Sequence, residues 1–428
     1  MLLQEIELSE SFSKAFNLLE NSPENVFITG RAGTGKSTFL KYLKEHSKKK
    51  LVVLAPTGVA ALNVGGQTIH SFFRFPPGLS VKGAAKEAYK RKKSGIFWKL
   101  DLIVIDEISM VRADLLDCID VFLKAVLRSK APFGGKQMLF IGDMCQLPPV
   151  VNNAEQQFFR TSYESEYFFD SIAMKEFKYT LVEFEKVYRQ KDSEFIEVLN
   201  RIRDKTFTEK DLADLNSRFF KDENDSGAVH LTTTNSMADN INQKKLSQLP
   251  GLQYNYKGHA EGKFKSGAMP ADEVLSLKVG TQVMFLANDS AKRWVNGSIG
   301  LVTSLTEQSV RVNIEGMQVN VTPHEWRLYN YKFDEHKGEI LQELVGLFTQ
   351  FPLRLAWAIT IHKSQGKTFD NVIIDVGSGA FAHGQLYVAL SRCRTLEGIR
   401  IKTLIRKEDI LVDERVMRFT GGKLNGHA

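Results

Sequence analysis

Short, mostly apolar runs recur along the first third of the chain. They occupy residues 26–29, 51–54, 102–105 and 138–141 and are rich in Val, Ile, Leu and Phe. Runs of this kind are typical of parallel strands that are buried on both faces. Between them, apolar residues recur at helical spacing, as at Phe39, Leu40 and Leu43. The pattern predicts an α/β fold in which helices cover a mostly parallel sheet.

The second half of the chain repeats this pattern and interrupts it once. Residues 229–235 form a β-branched run that ends in hydroxyls and an amide, and residues 372–376 form a further apolar run, whereas residues 250–345 hold short alternating segments punctuated by glycines. Alternation with period two predicts antiparallel strands, here a small β-barrel inserted into a second α/β core. At the N-terminus, Ser9 or Ser11 is expected to cap an amphipathic helix.

The 428 residues are enough for two or three domains, each with its own hydrophobic core. The predicted division is a first core at residues 1–72 and 100–180, an insertion at 73–99, a second core at 181–249 and 346–428, and the β-barrel at 250–345.

Composition narrows the class of protein. Lys and Arg number 57 against 50 for Asp and Glu, and a net charge of +7 permits a polyanionic partner without proving one. The three cysteines form no C-x-x-C pair, so neither a disulfide framework nor a thiolate zinc site is expected. No apolar run approaches the ~20 residues that span a bilayer, and the N-terminus is acidic, so no membrane partner is expected. We expect a cytoplasmic protein, nucleoid-associated in a bacterium and nuclear or mitochondrial in a eukaryote.

The stretch from Gly30 to Thr38 carries the first chemical signal. It reads GRAGTGKST and fits the G-x-x-x-x-G-K-[ST] pattern, with a predicted strand before it and a predicted helix after it. Its glycines let backbone N–H groups surround phosphates, while Lys36 reaches the β- and γ-phosphates and Ser37 ligates Mg²⁺. The alternative is a chance glycine turn. The predicted nucleotide-binding residues here are Gly33, Thr34, Gly35, Lys36, Ser37 and Thr38.

Polar residues that follow two other apolar runs complete a hydrolytic site. Asp106 is placed to hold the Mg²⁺ water shell, and Glu107 to orient and polarise the attacking water. Gln146 follows the run at residues 138–141, where it could sense the γ-phosphate. The alternative for the two carboxylates is an ordinary strand end followed by an acidic helix cap.

The pattern of residues 73–99 predicts a wedge, that is, a protrusion that could enter between the strands of a duplex. Phe73 and Phe75 precede a Pro-Pro-Gly turn, and a lysine-rich helix follows. An aromatic, proline-stiffened protrusion could split base pairs while the lysines hold phosphates. The alternative is a solvated helix face.

Seven ordered motifs carry a family resemblance. GRAGTGKST, APTGVAALNVGGQTIHSFF, VIDEISM, GDMCQLPP, VYRQ, TIHKSQGKT and YVALSR resemble the successive motifs of the Pif-type branch of superfamily-1 DNA helicases, which is related to the RecD-like enzymes. They run from about residue 27 to residue 400. The resemblance implies two RecA-like cores with ATP and Mg²⁺ between them, a DNA strand across both, an SH3-like inserted domain and 5′-to-3′ travel.

The same resemblance assigns residues in the second half of the chain. Arg189 and Arg392 are expected to come from the second core and reach the γ-phosphate as arginine fingers, and Gly366 is expected near the nucleotide. Relatives often place an adenine-recognising glutamine near the position of Phe12, whereas this chain offers Gln4 slightly earlier. The recognition of adenine is therefore left open.

Polar residues at predicted strand ends suggest a track for the DNA. Hydroxyl and amide groups donate to phosphate oxygens without reading sequence, although capping of strand and helix ends is the alternative for each residue. The predicted DNA-binding residues are Thr57, Thr68, His70, Phe72, Thr233, Asn235, His259, Thr360, His362 and Lys363.

The function predicted from these motifs is an ATP-dependent 5′-to-3′ DNA helicase that translocates on single-stranded DNA and unwinds duplexes, with G-quadruplexes and RNA–DNA hybrids as further expected substrates. We expect it to bind single-stranded DNA and junctions of duplex or quadruplex DNA, and to be a monomer in the absence of DNA. Two alternatives stay open: a translocase that does not separate strands, and a DNA-binding module that is switched by ATP.

Overall fold

The computed structural model describes residues 9–424, except residues 77, 92–94, 152, 191, 221–226, 263, 265–268, 335–338 and 378. Gln4, considered above for adenine recognition, lies outside the described residues.

The apolar runs of the first half form one six-stranded sheet. Its strands are β1 (Val26–Gly30), β2 (Leu51–Ala55), β3 (Gln67–Thr68), β4 (Leu102–Ile105), β5 (Gln137–Ile141) and β6 (Thr180–Phe184). They lie in the order β3-β2-β4-β5-β1-β6, and all pairs are parallel. Because β6 belongs to this sheet, the boundary predicted at residue 180 is wrong, and the first core extends through Phe184.

Helices cover both faces of this sheet. They are α1 (Glu10–Asn21), α2 (Lys36–His46), α3 (Gly58–Asn63), α4 (Ile69–Phe73), α5 (Val81–Lys90), α6 (Ile96–Lys99), α7 (Ala113–Leu127), α8 (Asn153–Ser162) and α9 (Ile172–Glu176). Alternate strand residues enter two apolar clusters: Val26 and Ile28 pack with α1 and α2, whereas Phe27 packs with α7. Side chains that alternate across a strand explain why the runs are apolar throughout. Ser9 caps α1, as predicted.

The insertion at residues 73–99 does not expose the aromatic wedge that the sequence predicts. Phe73 and Phe75 are 0% and 4% exposed. Their rings lie 5.2 and 5.6 Å from that of Phe122 on α7. Apolar rings gain more from this packing than from exposure to water. Trp98 remains half exposed on α6, at 52%.

The remaining helices and strands belong to the second half of the chain. The helices are α10 (Ser193–Arg203), α11 (Glu209–Asn216), α12 (Asn235–Gln248), α13 (Ile361–Ser364), α14 (Gln385–Leu390) and α15 (Glu414–Leu424). The strands are β7 (Val229–Thr232), β8 (Tyr254–Lys257), β9 (His259–Gly262), β10 (Val274–Leu277), β11 (Gln282–Phe285), β12 (Ile299–Leu305), β13 (Val310–Ile314), β14 (Met317–Val321), β15 (His324–Asp334), β16 (Glu339–Gln350), β17 (Leu353–Leu355), β18 (Ala358–Thr360), β19 (Val372–Asp375) and β20 (Ile399–Ile401).

A second parallel sheet is built from strands that lie on either side of the inserted segment. Its order is β18-β7-β19-β20, and all its pairs are parallel. The first and second sheets therefore each form an α/β core, and the predicted α/β class is confirmed.

The inserted segment is antiparallel, as the alternating pattern predicts. A five-stranded sheet, β14-β13-β12-β11-β17, and a two-stranded sheet, β10-β8, share one apolar core. Because β17 (Leu353–Leu355) pairs with β11, the insertion continues to residue 355, beyond the boundary predicted at 345. Its SH3-like character stays a prediction.

A long hairpin of the insertion returns to the first core. β15 pairs with β16, which also pairs with β9. On β15, Asn330 Oδ1 accepts a hydrogen bond of 2.6 Å from Gln67 Nε2, and the ring of Tyr331 lies 5.9 Å from that of Phe72. The insertion therefore contacts the first core beside β3 and α4.

The chain ends by crossing back from the second core to the first. In α15 the ring of Phe419 stacks on Phe169 at 4.4 Å and lies 6.2 Å from Phe27 of β1, and Val416 is fully buried. Among the described residues, no helix combines the length and apolar character that a membrane span requires.

Replacing Phe75 with alanine tests the burial of the insertion's aromatic residues. We expect Phe75→Ala to lower the free energy of unfolding by roughly 3–5 kcal/mol, because it removes a buried ring and leaves a cavity. Urea unfolding measures this, with Trp98→Ala as the exposed control, expected to change stability by less than about 1 kcal/mol. A Phe75→Ala protein of unchanged stability would contradict the buried assignment.

Candidate active site

The glycine loop follows β1 and opens directly into α2. Gly33 and Gly35 have φ values of 84° and 89°, a region in which side chains other than glycine are strained. A Cβ on Gly33 would also lie 2.5 Å from Arg189 Cβ. Lys36 Nζ donates to the carbonyl oxygens of Gly30 and Arg31 at 2.5 and 2.9 Å. Burial lowers the pKa of Lys36.

The loop forms one wall of a cleft of about 1230 Å³ between the two cores. The predicted residues that line this cleft are Gly33, Thr34, Gly35, Lys36, Ser37, Thr38, Glu107, Gln146, Arg189, Gly366 and Arg392. Residues that are up to 359 positions apart in sequence, from Gly33 to Arg392, therefore line one site. The volume is ample for a nucleotide.

The two carboxylates follow β4. Burial, followed by the charge of Glu107, raises the pKa of Asp106 to about 7, and burial also raises the pKa of Glu107. Glu107 has a φ of 51°, which is uncommon for a residue with a side chain. A divalent cation would favour the charged form of both carboxylates.

Oxygen donors in this part of the cleft suit Mg²⁺. Ser37 lines the cleft, and Asp106 directly follows β4 of the first sheet. The described residues include no cluster of three His, Cys, Asp or Glu that could hold a metal by itself. Few protein ligands are needed by Mg²⁺, because it keeps several waters and binds substrate phosphates.

The two arginines face the loop from different parts of the chain. Arg392 lies just beyond α14 in the second core and is 1% exposed. Arg189 lies in the segment that joins β6 to α10, so its predicted origin in the second core stays a prediction. Arg189 Nη1 donates to the Ser391 carbonyl at 3.2 Å.

The arginines also affect each other electrostatically. Burial, followed by the charge of Arg189, lowers the pKa of Arg392 to about 9. Burial likewise lowers the pKa of Arg189. Lys36 adds a third cation to this cleft. Cations that lose hydration in one place favour a polyanion such as a triphosphate.

A buried network joins the cores behind the cleft. The Tyr387 hydroxyl accepts from the backbone N–H of Ala32 at 3.1 Å and donates to Asp143 Oδ2 at 3.4 Å. Gln146 Nε2 donates to the same oxygen at 3.0 Å, and Arg203 lies 3.8 Å from Asp143 Oδ1.

This network was missed in the sequence. Asp143 and Tyr387 lie inside recognised motifs, but no spacing pairs them, because 244 residues separate them. Arg203 lies in a helix that carries no motif.

Three predicted DNA-binding threonines serve as helix caps. Thr57, Thr68 and Thr360 accept backbone N–H groups at the starts of α3, α4 and α13. The capping alternative is therefore confirmed for each of them. A capping hydroxyl accepts one hydrogen bond and keeps its own O–H to donate, so contact with a phosphate stays a prediction.

Other residues of the predicted track lie in varied surroundings. His70 and His362 are half-buried, and burial lowers the pKa of each. Lys363 and Asn235 are exposed. His259 is exposed on β9 of the insertion, where it faces Glu261.

Two predicted DNA contacts are corrected. Phe72 is 3% exposed, and its ring packs on Phe73 and Phe97, so it is a core residue. Thr233 is 6% exposed, and its hydroxyl faces Met237 Sδ. The exposed hydroxyl at this strand end belongs to Thr234, which caps α12 and was missed.

The cleft is also lined by Ser9, Phe12, Phe184 and Tyr188, together with Arg394 and Thr395. Phe12 is mainly a core residue, with its ring 4.9 Å from that of Phe39. Recognition of adenine therefore stays open.

Family models match both halves of the chain. A PIF1-like helicase model matches residues 7–212, and a UvrD-like helicase C-terminal domain model matches residues 355–396.

Two curated relatives are similar over most of this chain. It is 34% identical to the ATP-dependent DNA helicase Pif1 of Bdellovibrio bacteriovorus, with 98% of this chain and 93% of that protein covered. It is 35% identical to the ATP-dependent DNA helicase PIF1 of Xenopus laevis, with 93% of this chain covered but 62% of that longer protein.

Solved structures of Bacteroides Pif1 are similar throughout. The unliganded protein gives a TM-score of 0.87 at 40% identity, covering 98% of this chain and 97% of that one. The complex with ADP-AlF4 gives 0.88 at 40% identity, covering 97% and 96%. The complex with ssDNA gives 0.69 at 41% identity, covering 97% and 96%. The arrangement of this chain is thus closer to the unliganded relative than to the ssDNA-bound one.

Replacing Asp106 tests the electrostatics of the carboxylate pair. With a folded-state pKa near 7 and an ordinary value of 3.8, the folded protein binds this proton more tightly, so ionisation costs stability increasingly as the pH rises through that window. We expect Asp106→Asn to raise the free energy of unfolding by about 1–3 kcal/mol more at pH 8 than at pH 5.5, without nucleotide or Mg²⁺.

Urea unfolding at the two pH values measures this difference. Asp239→Asn, at an exposed position of α12, is the control and should show no pH-dependent gain. An equal effect of Asp106→Asn at both pH values would contradict the raised pKa.

Proposed function

Because this chain belongs to the PIF1-like helicase family and is an ATP-dependent DNA helicase, we propose that it moves 5′ to 3′ along single-stranded DNA and separates duplexes and quadruplexes. Its cofactors are ATP and Mg²⁺. The family predicted from the seven motifs is confirmed by these matches, whereas direction, quadruplex activity and the roles of single residues belong to the proposal.

One observation carries the proposal: the glycine loop of one core and Arg392 of the other line the same cleft. A site divided between two cores is complete only when they are close together. Nucleotide binding would therefore favour closure, and loss of the γ-phosphate would favour opening. Repeated closure and opening would move the DNA-binding surfaces of the two cores alternately along a strand.

Each residue of the cleft has a chemical role in this proposal. Lys36 binds the β- and γ-phosphates, while Ser37 and Asp106 hold the Mg²⁺, which neutralises phosphate charge when it is bound. Glu107 accepts the proton of the attacking water, since its raised pKa suits a general base. Gln146 senses the γ-phosphate, and Arg189 and Arg392 stabilise the charge that develops there.

The DNA track runs over both cores in this proposal. Thr57, Thr68 and His70 offer donors on the first core. The second core offers Asn235, Thr360, His362 and Lys363, with Thr234 in place of the buried Thr233. His259 of the insertion adds a contact beyond the cores. We propose that the protein is a monomer without DNA and works in the cytoplasm, associated with the nucleoid.

The catalytic assignment is tested by Lys36→Ala and Glu107→Gln. We expect each to reduce ssDNA-stimulated ATP turnover by at least about 100-fold, because one removes the phosphate cation and the other the base. Binding of single-stranded DNA should change little. The measurements are phosphate release and fluorescence anisotropy of a labelled strand.

Lys41→Ala is the control, because Lys41 is an exposed lysine of the same helix. It should retain wild-type turnover. Undiminished hydrolysis in both cleft variants would refute the assignment.

Direction and strand separation are tested with labelled duplexes that carry a 5′ tail, a 3′ tail or a 5′ tail containing a quadruplex. We expect ATP-dependent release of the displaced strand from the 5′-tailed substrates only. Release from the 3′-tailed substrate alone would reverse the proposed direction. ATP turnover on DNA without release would favour the translocase, and no multiple turnover would favour the ATP-switched binding module.

A further inference from the structure

Gln365 of the second core contacts two catalytic side chains of the first core. Its Nε2 donates to Gln146 Oε1 at 3.0 Å and to Glu107 Oε2 at 3.4 Å. A side-chain amide carries two N–H donors, so both hydrogen bonds can form at once. The hydrogen bonds described for the Gln365 side chain reach neither the glycine loop nor an arginine.

These bonds engage the groups that the proposed reaction needs. Gln146 already donates its own amide to Asp143 Oδ2 at 3.0 Å. With Gln365 bound to its oxygen, both ends of the Gln146 amide are engaged. The same donor engages one carboxylate oxygen of Glu107, the group proposed to accept a proton from water.

Gln365 is also part of the proposed DNA-binding turn. It follows α13 directly, and its backbone N–H donates to the His362 carbonyl at 3.3 Å. Thr360 caps the same short helix, and Lys363 lies on its surface. A strand that binds these residues therefore acts on the segment that holds the Gln365 side chain.

The chain shows these contacts in an arrangement that is about equally close to unliganded Bacteroides Pif1 and to its complex with ADP-AlF4, with TM-scores of 0.87 and 0.88, and less close to the ssDNA-bound form, with 0.69. The unliganded and ssDNA-bound structures are of one relative and match this chain at nearly equal identity, 40% and 41%, so the TM-scores record a difference between those two structures. The contact from Gln365 thus belongs to the arrangement that resembles the unliganded relative and its complex with ADP-AlF4.

We propose that Gln365 is a positioning residue that restrains Gln146 and Glu107 while the DNA-binding turn is unoccupied. Binding of a strand at Thr360–Lys363 shifts the turn, withdraws the Gln365 amide and leaves both catalytic groups available to the attacking water. DNA stimulation of ATP turnover then comes in part from the release of this restraint. The inference rests on the proposed function, because it requires ATP hydrolysis that DNA stimulates.

Two variants separate hydrogen bonding from packing. Gln365→Met keeps a side chain of similar length without N–H donors, and Gln365→Ala removes the side chain. We expect both to raise the kcat of ATP hydrolysis without DNA by about three- to tenfold, the scale of one lost hydrogen bond. At saturating single-stranded DNA, kcat should stay within about twofold of wild type, because the restraint is then already released. The KM for ATP should change little, since Gln365 contacts no residue of the glycine loop in the bonds described.

The control is Gln243→Ala, an exposed glutamine on α12 of the same core, which should show wild-type kinetics with and without DNA. Steady-state phosphate release at saturating ATP, with and without a single-stranded oligonucleotide, gives both kcat values. A merely structural role would lower both rates together.

Unchanged DNA-free turnover in both Gln365 variants, or an equal fall with and without DNA, would overturn the inference. If wild-type protein showed no ATP turnover that DNA stimulates, the proposed function itself would fail. If wild-type protein is stimulated and the variants match it, only the role of Gln365 is lost. The two failures are therefore distinguishable.

Discussion

The gathering of like charges in one cleft is the constraint on which the rest of this structure depends. Lys36, Arg189 and Arg392 lose hydration together, and burial lowers the pKa of each. Asp106 and Glu107 add a buried pair of the opposite sign, whose pKa values are raised. A triphosphate with Mg²⁺ complements both sets of charges at once. In the proposed mechanism, the ligand supplies the interaction that makes closure of the two cores favourable.

The parts of the chain are joined by more than their connecting segments. Tyr387 carries a hydrogen bond from the glycine loop to Asp143, α15 packs Phe419 against the first sheet, and the β15–β16 hairpin contacts Gln67 and Phe72. The hydrogen bonds of Tyr387 and Gln67 are polar, whereas the ring contacts of Phe419 and Phe72 are apolar. Polar contacts can exchange between discrete arrangements more readily than an apolar core can.

Local patterns predicted much of the fold and the nucleotide site. Continuous apolar runs identified β1, β4 and β5, because a strand buried on both faces needs apolar residues at every position. The glycine loop and the two carboxylates were found from spacing, since their chemistry depends on neighbouring residues. Local pattern failed at Phe72, Phe73 and Phe75, where aromatic residues next to a Pro-Pro-Gly turn suggested exposure. Packing against α7, formed by residues about forty positions later, decided the burial of Phe73 and Phe75. Phe72 is buried against Phe97 and Tyr331.

The sequence by itself predicted the strands β1, β2, β4 and β5, the phosphate loop, the two carboxylates that follow β4 and the family, because each depends on short-range spacing or on the order of motifs. The tertiary structure alone decided which distant side chains meet: Tyr387 with Asp143, and Gln365 with Gln146 and Glu107. A hydrogen bond depends on distance and direction to a few tenths of an ångström. No local spacing encodes that relation between groups more than two hundred residues apart, so only the packing of the two cores can set it.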